Sequence, residues 1–455
     1  MATTEQLVRV KIGVTEQLVQ FLVDTGYSHL SEAAGERAKE LLLDFARAAM
    51  GGARSPLGKI VVDRIRGVGA KPEASVIGSK LKTTTACAAY ANALLDHAPE
   101  LEAVGTIGPN VSQNIGAVLA LGEKVRAPGR KVIEGIVLGF EIQARVWKGA
   151  IAAASSRGWV LPFNNVGAVS AACKTLDLNV ERARAAFGIA LGTAGGVNSQ
   201  ENYAHYLQLG VPAFAAVEAA EYADNGVTAN AAILEAPQGF CDQFAGPGGA
   251  DFGRMTSQLT EASAILPPGT HIKKYPCCYL AHAAIDATLE LMSQNKVLYD
   301  DIESVQVEIN KANQSMMKYD EPTNGHQARF SFEHVLGVAI RDGDVWLPAM
   351  TDASVSGQRY REARAKVKVV PHPEWPAGLD AAFRTPLTVR LHNGKLYSKE
   401  VSKAVEPSQD EVIRTYKELA APILKKDEID KSLEMILGLE KLKDISQLMD
   451  ILRGG

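Results

Sequence analysis

The run Ile265-Leu266-Pro267-Pro268-Gly269-Thr270-His271-Ile272-Lys273-Lys274-Tyr275-Pro276-Cys277-Cys278 divides the chain into two textures. Before it, apolar residues recur at helical spacing. After it, alternating strands and tight turns enter. Two successive prolines and a glycine cannot continue a helix, so a boundary falls here.

Upstream, Ser31 is placed to cap a helix carrying Ala38, Leu41, Leu42, Phe45 and Ala49 on one face, with Gly51-Gly52 to end it. Similar spacing predicts helices over Thr83–Leu95, Val111–Val125, Arg130–Lys148, Gly167–Thr175, Val180–Thr193 and Val211–Asn225. Their many Ala and Gly residues suit closely approaching helix axes, and packing accounts for nearly all of them. Downstream, a helix is predicted over Ala281–Gln294 and a period-two strand over Ser304–Asn310. Another helix follows over Phe332–Arg341, with strands at Ala365–Val370, Leu387–Leu391 and Leu396–Val401. Asn393-Gly394 signals the hairpin between the last two. Helical spacing resumes over Asp410–Leu419 and Asp427–Leu452. The expected fold is mainly α with an α+β lid. Residues 1–265 form a helical body, 266–404 an inserted lid, and 405–455 helices that return to the body. The two crossings are expected to act as a hinge.

Bulk properties exclude several functions. The 455 residues carry 46% hydrophobic and 22% charged side chains, the values of an ordinary globular chain. A net charge of −4 gives no reason to expect nucleic acid or an anionic membrane as partner. No apolar stretch approaches the roughly 20 residues needed to span a bilayer, and Met1–Val10 lacks a signal-peptide pattern. Five scattered cysteines point to a reduced, cytoplasmic protein. Neither Cys-x-x-Cys nor His-Glu-x-x-His occurs, so no metal and no cofactor is expected.

Polar groups concentrate in a few places: Asn92 to Glu102 with His97, Arg157 to Asn165, Asn202 to Tyr206 with Tyr203 and His205, His271 to Cys278 with His282, and Arg329-Phe330-Ser331 with His334. These runs and their order resemble the MmgE/PrpD family, from about residue 14 to 450. Lys273-x-Tyr275-Pro276-Cys277, His282 and Ile285-Asp286-Ala287 carry the resemblance. Ala328-Arg329-Phe330-Ser331, Arg157-Gly158-Trp159, and Gly188-Ile189-Ala190 with Gly195 add to it. The resemblance implies a helical body, an α+β lid, a homodimer, and cofactor-independent chemistry on polycarboxylates. The family includes 2-methylcitrate dehydratase, cis-aconitate decarboxylase and iminodisuccinate epimerase.

Departures from the family pattern are numerous. Asn92-Ala93, His97 and Glu100-Leu101-Glu102-Ala103 stand where members carry Asn-Gly, His and Asp-x-Asp-Asp, and Gly108-Pro109-Asn110 lacks a later His. Val160 follows Gly158-Trp159 in place of His. His205 occupies a family Lys position, Gln208 a family His position, Cys278 another, and His334 a Tyr position.

Chemistry alpha to a carboxylate needs donors for a developing enediolate and a base titrating near neutrality. His205 is the expected base, with Lys273, Cys278 and His97 as further catalytic candidates. Arg157 and Lys274 are expected to pair with substrate charge, and Glu100, His282, His334 and Tyr203 to contact substrate. Glu100 and Glu102 otherwise read as a solvated helix start, and Cys277 and Cys278 as small buried hydrophobes. A Cys278 thiolate opposite His205 would suit a two-base epimerase, whereas loss of water or carbon dioxide would make the chain a lyase. A non-catalytic relative that kept the fold is the third reading.

Overall fold

The computed structural model describes residues 12–105, 110–196, 202–376, 384–401 and 403–454. The body starts with α1 (Val14–Asp24), α2 (Glu32–Ala53) and α3 (Pro56–Val68). Ser31 does cap α2, its hydroxyl accepting from the Ala34 amide. A short hairpin follows, β1 (Ala74–Val76) antiparallel to β2 (Leu81–Thr83). The body is therefore not wholly helical, as three-residue strands carry too little periodicity to read. Then come α4 (Thr85–His97), α5 (Ser112–Val125), α6 (Gly129–Ser156), α7 (Phe163–Thr175), α8 (Val180–Gly192) and α9 (Gly210–Asp224). Gly116 and Gly139 show why small residues are needed. A Cβ on Gly116 would lie 2.9 Å from the Ala89 carbonyl oxygen of α4, and one on Gly139 2.8 Å from Ala171 Cβ of α7.

The body's apolar core joins Leu41, Leu42 and Phe45 of α2 with Val412, Tyr416, Leu433, Ile436, Leu448 and Leu452 from the end of the chain. The expected helix over Asp427–Leu452 is two helices, Lys426–Leu437 and Ser446–Leu452, broken around Gly438. A second core holds Tyr275, Ile285, Val305, Val307, Phe332, Leu336 and Val389. Its sheet runs in the order β6 (Val367–His372), β5 (Ile302–Asn310), β7 (Leu387–Leu391), β8 (Leu396–Lys399). Strand β5 is parallel to β6 and antiparallel to β7, with Val307 opposite both Val369 and Leu387. Val305, Val307 and Ile309 point into the core, as their alternation predicts.

Two crossings connect the cores. In the first, β4 (Thr270–His271) pairs antiparallel with β3 (Val104–Gly105) beyond α4. Arg37 of α2 secures both crossings. Its guanidinium donates to the Thr270 hydroxyl and carbonyl, each at 3.0 Å, and pairs with Glu406. Glu406 in turn accepts from the Ile272 amide at 2.7 Å. Among the described residues, no helix is long and apolar enough to cross a membrane.

Candidate functional site

The end of α4 and the first crossing together build a buried charged cluster. His97 closes α4, and Glu100 just after it takes a left-handed backbone (φ 57°), which turns the chain back so that Glu100 and Glu102 face inward. Both carboxylates are buried, not the solvated helix start read from the sequence. Lys273 lies directly after the crossing strand. Its ammonium donates to Glu100 Oε1 at 2.8 Å, Glu102 Oε1 at 2.9 Å and the Glu100 carbonyl at 3.2 Å.

Arg47 of α2 fixes this arrangement from below. It donates to the carbonyls of Lys273 (2.9 Å) and Leu101 (3.3 Å) and pairs with Asp44. Burial pushes the Asp44 carboxyl up to about 6, against the pull of Arg47. Burial and the Asp44 charge also raise the Asp96 carboxyl well above its ordinary value.

His205 enters from a 3-10 turn, Asn202–Leu209. Its Nε2 lies 3.1 Å from His97 Nε2 and 3.6 Å from Glu100 Oε2. The Nδ1 of His97 lies 3.1 Å from Glu102 Oε1. Burial lowers the pKa of His205, and neighbouring His97 lowers it further, although Glu100 opposes the shift. Burial also works against a charged Glu100, but the Lys273 ammonium and the two imidazoles outweigh it and hold its carboxyl well below the usual range. Lys273 is likewise disfavoured as an ion by burial, yet its two glutamates raise its pKa, so it stays an ammonium.

The lid adds a third side. The helix Gly325–Arg329 brings His326 and Arg329 to Tyr206, whose hydroxyl lies 3.2 Å from His326 Nδ1 and 3.4 Å from an Arg329 nitrogen. The rings of His326 and Phe330 stand 5.7 and 5.5 Å from that of His205. Among the described residues, Arg329 Nε has no hydrogen-bond partner.

The structure thus brings together His97, Glu100, His205 and Lys273 of the expected set. Tyr203 borders the cluster, its ring 6.2 Å from Tyr206, while its hydroxyl donates to Asp352 of the lid at 2.7 Å. Cys278 is tied in through its backbone, which donates to the Arg329 carbonyl. Burial pushes its thiol up to about 12, which disfavours a thiolate there.

Four expected residues point elsewhere. Arg157 is exposed at the end of α6, beside Gly246. Lys274 turns to Asp286 at 3.5 Å and lines a separate cleft of about 230 Å3 with Trp346 and Glu411. His282 is wholly buried between the rings of Tyr275 and Tyr279. His334 is held within the lid by the Ala349 carbonyl and Arg364.

Sequence reasoning missed His326 and Tyr206 and gave Arg329 and Glu102 too little weight. Tyr206 is next to His205, and His326 sits in a helix capped by Asn324, but neither has a spacing that marks it.

Comparison with known proteins finds two family models that match the chain in order. The MmgE/PrpD N-terminal domain matches residues 16–253 and the MmgE/PrpD C-terminal domain residues 275–441. Curated relatives include the cis-aconitate decarboxylase of Mus musculus, 22% identical over 97% of this chain and 93% of its own. That of Aspergillus terreus is 24% identical over 97% and 96%, and that of Homo sapiens 23% over 97% and 95%. With both domain models matched in order over most of its length, the chain belongs to the MmgE/PrpD family.

Proposed function

We propose that the protein is a cofactor-independent lyase acting on a small unsaturated polycarboxylic acid, and that it releases carbon dioxide. The observation that carries this reading is the facing pair His97 and His205 at the seam where the lid delivers Arg329. Relatives named cis-aconitate decarboxylase supply the reaction class.

In such a reaction the bond to the departing carboxylate breaks, and its electron pair moves into the neighbouring unsaturated system. The resulting dienolate-like anion then takes a proton at carbon. Arg329, with its forked donors, suits a retained carboxylate. His205 suits the proton transfer, since its Nε2 is shared with His97 and a proton can pass between the rings. Lys273 has a different part from the one expected of it. As an ammonium committed to two glutamates it neither takes nor gives a proton; it holds Glu100 and Glu102, and Glu102 faces His97.

Glu100, Lys273 and His205 are all under one tenth exposed, so substrate entry requires the lid to part from the body. Burial raises the Cys278 thiol pKa, which favours the lyase reading over epimerisation by His205 and Cys278.

The test is to incubate the purified protein with a panel of unsaturated and hydroxylated tricarboxylates and follow carbon dioxide, water loss and deuterium uptake from solvent. Carbon dioxide release supports the reading. Loss of water alone makes the protein a hydro-lyase. Exchange without net conversion makes it an epimerase, and inertness towards every acid removes the enzymatic reading.

A further inference from the structure

The three side chains at the centre of the site also satisfy the demands of a metal centre, although no sequence spacing announced one. We propose that His97, His205 and Glu100 bind a divalent transition ion of the zinc class, and that the bound ion reversibly shuts the enzyme off. The inhibitory half rests on the function proposed above; the binding half does not.

The ligand atoms are already close to the right places. His97 Nε2 and His205 Nε2 are 3.1 Å apart, and Glu100 Oε2 lies 3.6 Å from His205 Nε2. All three residues offer atoms within 4.8 Å of one another. Ligands of a tetrahedral zinc ion at about 2.0–2.1 Å are separated by about 3.3 Å.

A second observation concerns Glu100. The residue is only 5% exposed, and its Oε2 has no hydrogen-bond partner among the described residues. A buried carboxylate oxygen left without a partner is costly. An ion between the rings would satisfy it. Charge points the same way, for Glu100 and Glu102 together exceed Lys273 by one negative charge. Glu102, facing the far nitrogen of His97, stands where metal-bound histidines usually have a supporting carboxylate. Two imidazoles favour zinc, cobalt, nickel or copper over magnesium or calcium.

Coordination would consume both Nε2 lone pairs. His97 would keep its proton on Nδ1, towards Glu102, and His205 would carry its proton on Nδ1 as well. The shared proton between the rings is then gone, and with it the acid–base function. Three protein ligands leave the fourth position to water.

The experiment is a titration of chelator-treated protein with Co2+ in the absence of any carboxylic acid. Intense visible d–d bands, saturating near one equivalent and abolished by Zn2+, are expected. His97→Gln and Glu100→Gln should lose them, His334→Gln should keep them, and Glu102→Gln should weaken binding about 10–100-fold. X-ray absorption on the Zn2+-loaded wild type reads two imidazoles and one carboxylate without any substitution, so a variant that fails to fold does not decide the matter. Absence of the bands, or a zinc shell of oxygen alone, overturns the site. Enzyme loaded with one equivalent of Zn2+ and desalted should lose turnover and regain it on chelation. Full turnover of the loaded enzyme overturns the inhibitory half. If no acid proves to be a substrate, the proposed function fails while the spectra still decide the metal site.

Discussion

His97 and His205 face each other Nε2 to Nε2 at 3.1 Å, one closing a body helix and the other on a 3-10 turn far along the chain. A hydrogen bond at that distance needs one Nε2 to donate and the other to accept, so a single proton lies between the rings. A substrate beside His205 therefore meets a group that can take a proton or be resupplied with one. Replacing His205 by Asn keeps a polar side chain but removes the proton carrier. Turnover should fall by about 10²–10⁴-fold, the usual contribution of a positioned acid or base. Carbon dioxide release, with circular dichroism to confirm folding, checks this; unchanged turnover would exclude His205 as the proton carrier.

Lys273 presents the opposite case, a charge whose value is structural. Its ammonium is the cation that both Glu100 and Glu102 contact, and all three are buried. Lys273→Met leaves two carboxylates in a dry interior, which should cost about 3–5 kcal/mol of stability. Adding Glu100→Gln to the same protein removes part of that burden and should recover part of the loss. Denaturant melts of the two variants provide the comparison. Equal stability of Lys273→Met and wild type would mean that the cluster is solvated.

For Arg329, geometry matters more than charge alone. It reaches the seam from the lid, lies over the Tyr206 ring and keeps Nε unpartnered among the described residues. A fork that grips a carboxylate through two nitrogens is not replaced by a point charge. Arg329→Lys should therefore raise KM for a polycarboxylate by tenfold or more, on the order of one lost charge-assisted hydrogen bond, with a smaller effect on kcat. A kcat loss at constant KM would instead assign Arg329 to the chemical step.

The fate of Cys278 separates lyase from epimerase. Burial pushes its thiol up to about 12, which disfavours the thiolate that a nucleophile or base requires. Cys278→Ala should keep turnover close to wild type, and iodoacetamide should leave Cys278 unlabelled in the native protein. Rapid labelling that destroys activity would restore the thiolate.

The elements came through in the sequence far better than the site did. Strands such as Leu387–Leu391 and helices such as Val180–Gly192 bury one face, and burial imposes a period that can be read directly. The hairpin Ala74–Thr83 is too short for a period, and the break at Gly438 interrupts an apolar spacing that otherwise continues. The site obeys no period at all. Glu100 and Glu102 look like a hydrated helix start because nothing local records that Lys273 arrives between them. His334 looks like a site residue because it follows a motif, whereas Arg364, which occupies it, comes from another helix. His205 and Lys273 could be picked out only by matching family positions, and His326, offering no such cue, was missed.

That same His334 gives the acid stability of the fold a specific origin. Its Nε2 lies 3.0 Å from the Ala349 carbonyl, and its Nδ1 lies 3.1 Å from an Arg364 nitrogen. Only the neutral ring, donating from Nε2 and accepting at Nδ1, satisfies both. Its pKa is lowered to about 4, chiefly by burial; the bond to the Ala349 carbonyl opposes the shift, and Arg364 and Arg329 add to it. The ring of Tyr360 packs edge-on against it, and the Ser331 hydroxyl accepts from its backbone amide. Burial likewise takes His271 down to about 4, against Glu406 and with Arg37, and it takes His282 well below its ordinary value with help from Lys273.

In the unfolded chain each of these imidazoles titrates near 6.5. Between that pH and about 4 the unfolded state binds more protons, so the contribution is complete above 6.5 and is lost as the pH falls. His334 alone accounts for about 3 kcal/mol across the window. His334→Gln offers an amide that can still donate and accept but cannot titrate. Urea melts between pH 7 and pH 4 should show the variant losing less stability than wild type by roughly that amount. Parallel losses in the two proteins would mean that His334 is already protonated in the fold.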